Sequence, residues 1–137
     1  MSGQGRGESE DLAKVVLIID DSASVRRQVA SVLGPAGYEL LEAVDGIDGA
    51  ERIRSREDLA LVICDVNMPR MNGLDMLEGL KTEIARRALP VVMLTTEGQP
   101  EAMARAKLAG AKGWFVKPFK ERLLLGAVQK LTGEIPT

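Results

Sequence analysis

The sequence predicts an α/β domain in which a five-stranded parallel sheet carries five helices on its two faces. Three observations lead there. Short apolar runs recur at a spacing of roughly 25 residues. Helical patterns separate them, and several of the runs end on a carboxylate, a hydroxyl or a lysine. A length of 137 residues, with 45% apolar and 28% charged side chains, suits one domain with one buried core.

The runs Val15–Ile19, Leu59–Cys64 and Val91–Leu94 are continuous and rich in Val and Ile. That composition suits strands covered on both faces of a parallel sheet. A weaker run spans Trp114–Val116, and Tyr38–Ala43 partly alternates. Between them, Ser22 can cap a helix whose apolar positions are Val25, Val29, Val32 and Leu33, with Gly34-Pro35 stopping it. Asp45 can cap a second helix through Ile47, Ala50 and Ile53. A third carries Leu74, Leu77, Leu80 and Ile84. Pro100 and Glu101 suit the first turn of a fourth, which closes at Gly110. The fifth runs from about Lys120 to Leu131, with Leu123, Leu124, Ala127, Val128 and Leu131 on one side. Residues 1–11, rich in Gly, Ser and Glu, read as a disordered tail or a remnant of cloning, leaving 12–137 as the domain.

Composition narrows the chemistry. There is no histidine, which excludes imidazole bases, His-ligated zinc or haem, and Ser-His or Cys-His nucleophiles. A single cysteine, Cys64, excludes an internal disulfide and sits in an apolar run as a small core residue. No apolar stretch approaches the roughly 20 residues that cross a bilayer. The expectation is therefore a cytoplasmic protein without membrane insertion. Between residues 102 and 133, seven basic side chains face one acidic residue, Glu121. Aromatics are only 3% of the chain, too few for a stacking platform, and no recognition-helix pattern appears. The basic third suits an acidic protein partner or a solvated face better than nucleic acid.

In a parallel sheet with right-handed crossovers, all strand C-termini emerge along one edge, and ligands bind there. Asp20 and Asp21 follow the first strand, Asp65 the third, Thr95 and Thr96 the fourth, and Lys117-Pro118 the fifth. Each has a plain alternative role. Asp20-Asp21-Ser22 can cap a helix, Asp65 can cap the loop after its strand, Thr95 can close a turn, and Lys117 can be a solvated lysine. Together they pose an electrostatic problem, because carboxylates within about 4–6 Å raise one another's pKa unless a cation compensates. Lys117 cannot satisfy three carboxylates. A hard divalent ion such as Mg²⁺ can, and it keeps coordination sites for phosphate oxygens. Carboxylates, a metal, a lysine and a threonine without histidine suit phosphoryl transfer to a carboxylate.

These residues carry a resemblance. Val-Val-Leu-Ile-Ile-Asp20-Asp21, Cys64-Asp65-Val66-Asn67-Met68-Pro69 with Gly73, Thr95-Thr96-Glu97 and Lys117-Pro118-Phe119 resemble a response-regulator receiver domain of the stand-alone, CheY-like chemotaxis type. The resemblance spans about residues 14–131. It implies the flavodoxin-like strand order 2-1-3-4-5. It implies that Asp65 accepts a phosphoryl group from a sensor histidine kinase or a histidine phosphotransfer protein. Asp21 and Asp65 would ligate Mg²⁺ directly, with Asp20 acting largely through water and the Asn67 carbonyl completing the set. Lys117 would pair with the phosphoryl group, in the setting of a cis Lys117–Pro118 bond. The Thr95 hydroxyl and the N–H groups of Asn67 and Thr96 would hold its oxygens. Asn67 and Glu97 would tune a slow autodephosphorylation, and Pro69, Met68 and Gly73 would shape the loop.

The resemblance also assigns a switch that couples Thr95 to Trp114, where many family members have Tyr or Phe. By composition alone Trp114 is a core aromatic. Because the chain stops after the fifth helix, the output expected is binding of a downstream protein by the helix 4–strand 5–helix 5 face. Two alternatives compete. The same fold can serve as a phosphate sink or relay intermediate. An aspartate-nucleophile phosphatase uses similar residues, but such enzymes want Asp-x-Asp where this chain has Asp65-Val66-Asn67, and they need a cap.

Overall fold

The computed structural model describes residues 13–96 and 100–133. Five strands, β1 (Val15–Ile19), β2 (Glu39–Ala43), β3 (Leu59–Asp65), β4 (Val91–Thr95) and β5 (Gly113–Val116), form one parallel sheet. Its order is β2-β1-β3-β4-β5, as the resemblance implies. The helices are α1 (Ala23–Leu33), α2 (Gly46–Ser55), α3 (Gly73–Gly79), α4 (Lys81–Arg87), α5 (Pro100–Leu108) and α6 (Glu121–Leu131). The tail expected over residues 1–11, and Glu97, lie outside the described residues.

Alternation along each strand divides the core in two. Val16, Ile18, Leu61, Ile63, Val92 and Leu94 point to the face covered by Val29 and Leu33 of α1 and by Leu124 and Val128 of α6. Val15, Leu17, Ile19, Val62, Cys64, Val91 and Met93 point to the opposite face, under α2, α3, α4 and α5. Every residue of β1 is buried, which explains its unbroken run of branched aliphatics. Each such side chain contributes about 1.5–3 kcal/mol on leaving water, so β1, β3 and β4 are firm supports for polar groups at their ends.

Local signals act largely as expected. The Ser22 hydroxyl accepts from the Val25 N–H at 3.3 Å, and the Asp45 carboxylate accepts from the Asp48 N–H at 2.9 Å. Two details differ, at the third helix and at Leu123. The single third helix expected through Leu74, Leu77, Leu80 and Ile84 divides at Leu80, which gives six α-helices among the described residues instead of five. Leu80 sits at φ −106°, and its N–H is shared between the carbonyls of Met76 and Leu77. Gly79 immediately before it lowers helix propensity, and the bend keeps both Leu77 and Ile84 buried. The stop expected at Gly34-Pro35 is in place: α1 ends at Leu33, and a short turn over Gly34–Ala36 follows, closed by Gly37 at φ 100°. Leu123 of α6 is 55% exposed instead of packed, because Leu124 and Val128 take the core-facing positions.

Candidate functional site

The strand register brings the polar groups together. Ile19 pairs with Cys64, Asp65 with Leu94, and Thr95 with Val116, so the residues that follow or end these strands share one rim. The Asp20 N–H donates to the Ala43 carbonyl at 3.1 Å, which carries the β1–β2 ladder one residue into the site. Asp20 is fully buried and Asp65 is 5% exposed, whereas Asp21 faces solvent. One oxygen from each of Asp20, Asp21 and Asp65 lies within 4.8 Å of the others.

Lys117 is the internal cation of this cluster. Its Nζ donates to Asp20 Oδ2 at 2.8 Å and stands 3.5 Å from Asp65 Oδ2. Its backbone N–H donates to the Thr95 carbonyl at 2.6 Å, and the Lys117–Pro118 bond is cis. The remaining Asp20 oxygen, Oδ1, accepts from the Ser22 N–H at 2.8 Å. Asp65 Oδ1 accepts from the Val66 N–H at 2.8 Å, which leaves Oδ2 as the oxygen turned to the lysine. Burial first, and the neighbouring Asp20 charge second, push the Asp65 carboxyl up to about 6, with Lys117 opposing them.

One ammonium thus stands among three carboxylates packed closely enough to share a ligand. The set fits a hard divalent cation: all-oxygen, mostly carboxylate, partly open to water through Asp21. Among the described residues, Asp20, Asp21 and Asp65 are the carboxylates placed to hold Mg²⁺. Asn67 and Thr96 are exposed at the rim beside Asp65 and Thr95. Thr95 is 2% exposed. Trp114 pairs with Met93 across the β4–β5 ladder and packs, half-buried, against the core under α5. Its indole Nε1–H is buried with no hydrogen-bond partner among the described residues.

Sequence reasoning missed two groups close to this rim. Arg26, on α1, donates from Nη1 to the Asp20 carbonyl at 2.6 Å and from Nε to Glu42 at 2.7 Å, holding the first acidic loop from behind. Arg70 forms a two-pronged pair with Asp45 at 2.6 and 3.2 Å. Neither has a local sequence signal, since each partner arrives from a different loop or strand. Gly73, expected to shape the loop, has a sharper reason to be glycine: a Cβ there would lie 2.0 Å from the Asp65 carbonyl oxygen.

Similarity to known proteins points the same way. The family model for the response regulator receiver domain matches residues 16–129. The chain is 34% identical over 119 residues to the chemotaxis protein CheY1 of Helicobacter pylori, covering 86% of this chain and 96% of that protein. It is 33% identical to a chemotaxis protein CheY homolog of Campylobacter jejuni, covering 86% and 92% respectively. Among solved structures, Vibrio cholerae chemotaxis protein CheY4 superposes with a TM-score of 0.79 at 37% identity, covering 87% of this chain and 98% of that one.

Proposed function

The chain belongs to the response-regulator receiver domain family, and on that premise we propose that Asp65 is the phosphoacceptor of a phosphorylation-controlled binding switch. Members of this family are phosphoacceptor switches in two-component signalling and bind Mg²⁺ at an acidic cluster. The observation that supports Asp65 most directly is its place. It is the buried carboxylate at the end of β3, with one oxygen fixed by the Val66 N–H and the other 3.5 Å from Lys117 Nζ.

In the proposed reaction an ionised Asp65 oxygen attacks the phosphorus of a phosphohistidine on a partner protein. A P–O bond forms, the P–N bond breaks, and the imidazole leaves on its donor. Asp20, Asp21, Asp65 and the Asn67 carbonyl would hold Mg²⁺, which would supply charge neutralisation for the carboxylates and the phosphoryl oxygens. Lys117 exchanges part of its contact with Asp20 for a phosphoryl oxygen. The Thr95 hydroxyl and the N–H groups of Asn67 and Thr96 take the others. Asn67, exposed at the rim, and Glu97 set how readily water reaches the acyl phosphate, so dephosphorylation without a partner is slow.

Output follows from Thr95 moving toward the phosphoryl group and Trp114 responding beside it. The surface this changes is α5–β5–α6. A groove of about 320 Å³ there is lined by Met103, Ala104, Lys107, Lys112 and Trp114 among others. Met103, Val116 and Leu123 expose apolar surface on the same three elements, set among lysines and arginines. An acidic protein segment with apolar anchors fits that chemistry.

The decisive experiment is labelling with a phosphohistidine donor or a small phosphodonor in the presence of Mg²⁺. Wild type is expected to gain one hydroxylamine-sensitive phosphoryl group, and Asp65→Asn to gain none while keeping its far-UV circular dichroism. Undiminished labelling of the folded variant would remove the assignment.

A further inference from the structure

The proposed metal site is assembled from two halves on separate loops. Asp20 and Asp21 lie beyond β1, while Asp65 and Asn67 belong to the end of β3 and the loop leading to α3. That second loop is closed mainly on itself. The Gly73 N–H donates to the Val66 carbonyl at 2.8 Å, and the Met71 N–H donates to the Pro69 carbonyl at 2.7 Å. Such bonds set its shape but not its position relative to the first half.

Strand pairing places the Asp65 end of this loop, and two ties to the β2–α2 turn hold the part beyond it. The Gly46 N–H donates to the Met71 carbonyl at 2.9 Å, at a spot where a Cβ on Gly46 would lie 2.6 Å from that oxygen. Arg70 donates from Nε and Nη2 to the two oxygens of Asp45, at 2.6 and 3.2 Å. Asp45 is 3% exposed and is itself held by capping α2 through the Asp48 N–H. Two residues earlier, Ala43 accepts the hydrogen bond from Asp20. A continuous path therefore runs from Asp20 through Ala43, Asp45 and Arg70 to the loop that carries Asn67.

The backbone at Arg70 points the same way. Arg70 stands at φ 66°, a left-handed conformation that costs a non-glycine residue free energy and persists when the surroundings hold it. Glycine or asparagine would take that geometry more easily. What an arginine supplies instead is the planar fork that binds a carboxylate through two parallel bonds. The pairing also holds the Asp45 carboxyl below its ordinary range, as a close guanidinium does.

We propose that the Arg70–Asp45 pair positions the loop after β3, fixing the Asn67 carbonyl against the strand-held Asp65 and against Asp20 and Asp21 in the geometry that Mg²⁺ requires. Neither residue touches the reacting groups; both are positioning residues. The inference rests on the Mg²⁺ site proposed above.

The test is Mg²⁺ affinity by titration calorimetry, with amide hydrogen exchange of residues 66–72 in the metal-free protein as a second readout. Asp45→Asn keeps a capping oxygen and removes the charge, and Arg70→Gln removes the fork. Each is expected to weaken Mg²⁺ binding about 10-fold, the scale of losing an outer-shell partner. Each is also expected to speed exchange across the loop. The double variant is expected to be no weaker than the worse single one, because both break one interaction. Arg70→Lys, which keeps the cation without the fork, is expected to lie between. If any variant fails to fold, Arg70→Lys decides. Wild-type Mg²⁺ affinity and wild-type exchange in a folded variant would overturn the inference. A wild-type protein that does not bind Mg²⁺ would instead overturn the metal site, and loop exchange alone would then judge the clamp, with unchanged rates overturning it.

Discussion

Asp65 is costly to keep ionised where it stands. Its carboxyl titrates at about 6 instead of 3.8, chiefly because it is buried and then because Asp20 is close. A raised folded-state pKa means that the folded protein holds the extra proton between those values. The stability linked to this group is therefore fully present below about pH 4 and is lost as pH rises through about 6. Two outcomes follow for the metal-free protein. At pH 7, Asp65→Asn is expected to raise unfolding free energy by as much as about 3 kcal/mol, the upper limit set by a two-unit shift. Urea denaturation in the presence of a chelator measures this, and a loss of stability would contradict it. Metal binding runs the opposite way, since it needs the carboxylate. Mg²⁺ affinity is expected to fall steeply as pH drops below about 6, and calorimetry between pH 5 and 8 tests that.

Among the elements, α3 is packed very differently at its two ends. Gly73 begins α3 directly against the acceptor strand, and a Cβ there would lie 2.0 Å from the Asp65 carbonyl oxygen and 2.9 Å from the Cys64 sulfur. Gly73→Ala is expected to cost about 1–3 kcal/mol, as overpacking does, and to weaken Mg²⁺ binding through displacement of Asp65. At Gly79, the other end of the same helix, an added Cβ would meet nothing within 4 Å. Gly79→Ala is therefore expected to be neutral or stabilising by up to about 1 kcal/mol. Thermal melts of the two variants, measured side by side, check the contrast. The α3–α4 junction shows why one helix was expected here. The apolar spacing through Leu74, Leu77, Leu80 and Ile84 is helical throughout, and periodicity is insensitive to a bend that keeps every apolar side chain buried.

For the molecule as a whole, the site and the proposed output face are joined by β4 and β5. Thr95 ends β4, and its carbonyl holds the Lys117 N–H; Trp114, three residues before Lys117, lines the groove against α5. The buried Nε1–H of Trp114 lacks a partner among the described residues. An unsatisfied buried donor costs about 1–3 kcal/mol, so a position that gives it an acceptor is favoured by a similar amount. Trp114 is the sole tryptophan, so its emission reports on this region. Mg²⁺ with a beryllofluoride phosphoryl mimic is expected to change that emission in wild type and to leave Asp65→Asn unchanged. A wild-type spectrum indifferent to both additions would remove Trp114 from the switch. Helix α5 is also tied to α3 by exposed pairs from Arg105 to Glu78 at 2.7 Å and to Asp75 at 3.4 Å, contacts that salt weakens.

The sheet, its two-sided core and the edge on which the polar groups gather were all legible in the amino-acid order. Those features rest on periodicity and on residue types at strand ends, which are local properties. The Val15–Ile19 run is apolar without interruption, and Asp20, Asp65, Thr95 and Lys117 follow or close their strands. The resemblance added strand order and individual roles. Which charges meet emerged from folding alone. Lys117 bonds to Asp20 and stands farther from Asp65, Arg26 supports the Asp20 carbonyl, and Arg70 locks onto Asp45 across 25 positions of chain. A charged side chain is long and flexible, and its partner is chosen by the distances and burial that folding creates. Spacing along the chain carries no record of that choice, which is why the acidic rim could be read in advance and the basic residues that organise it were less visible.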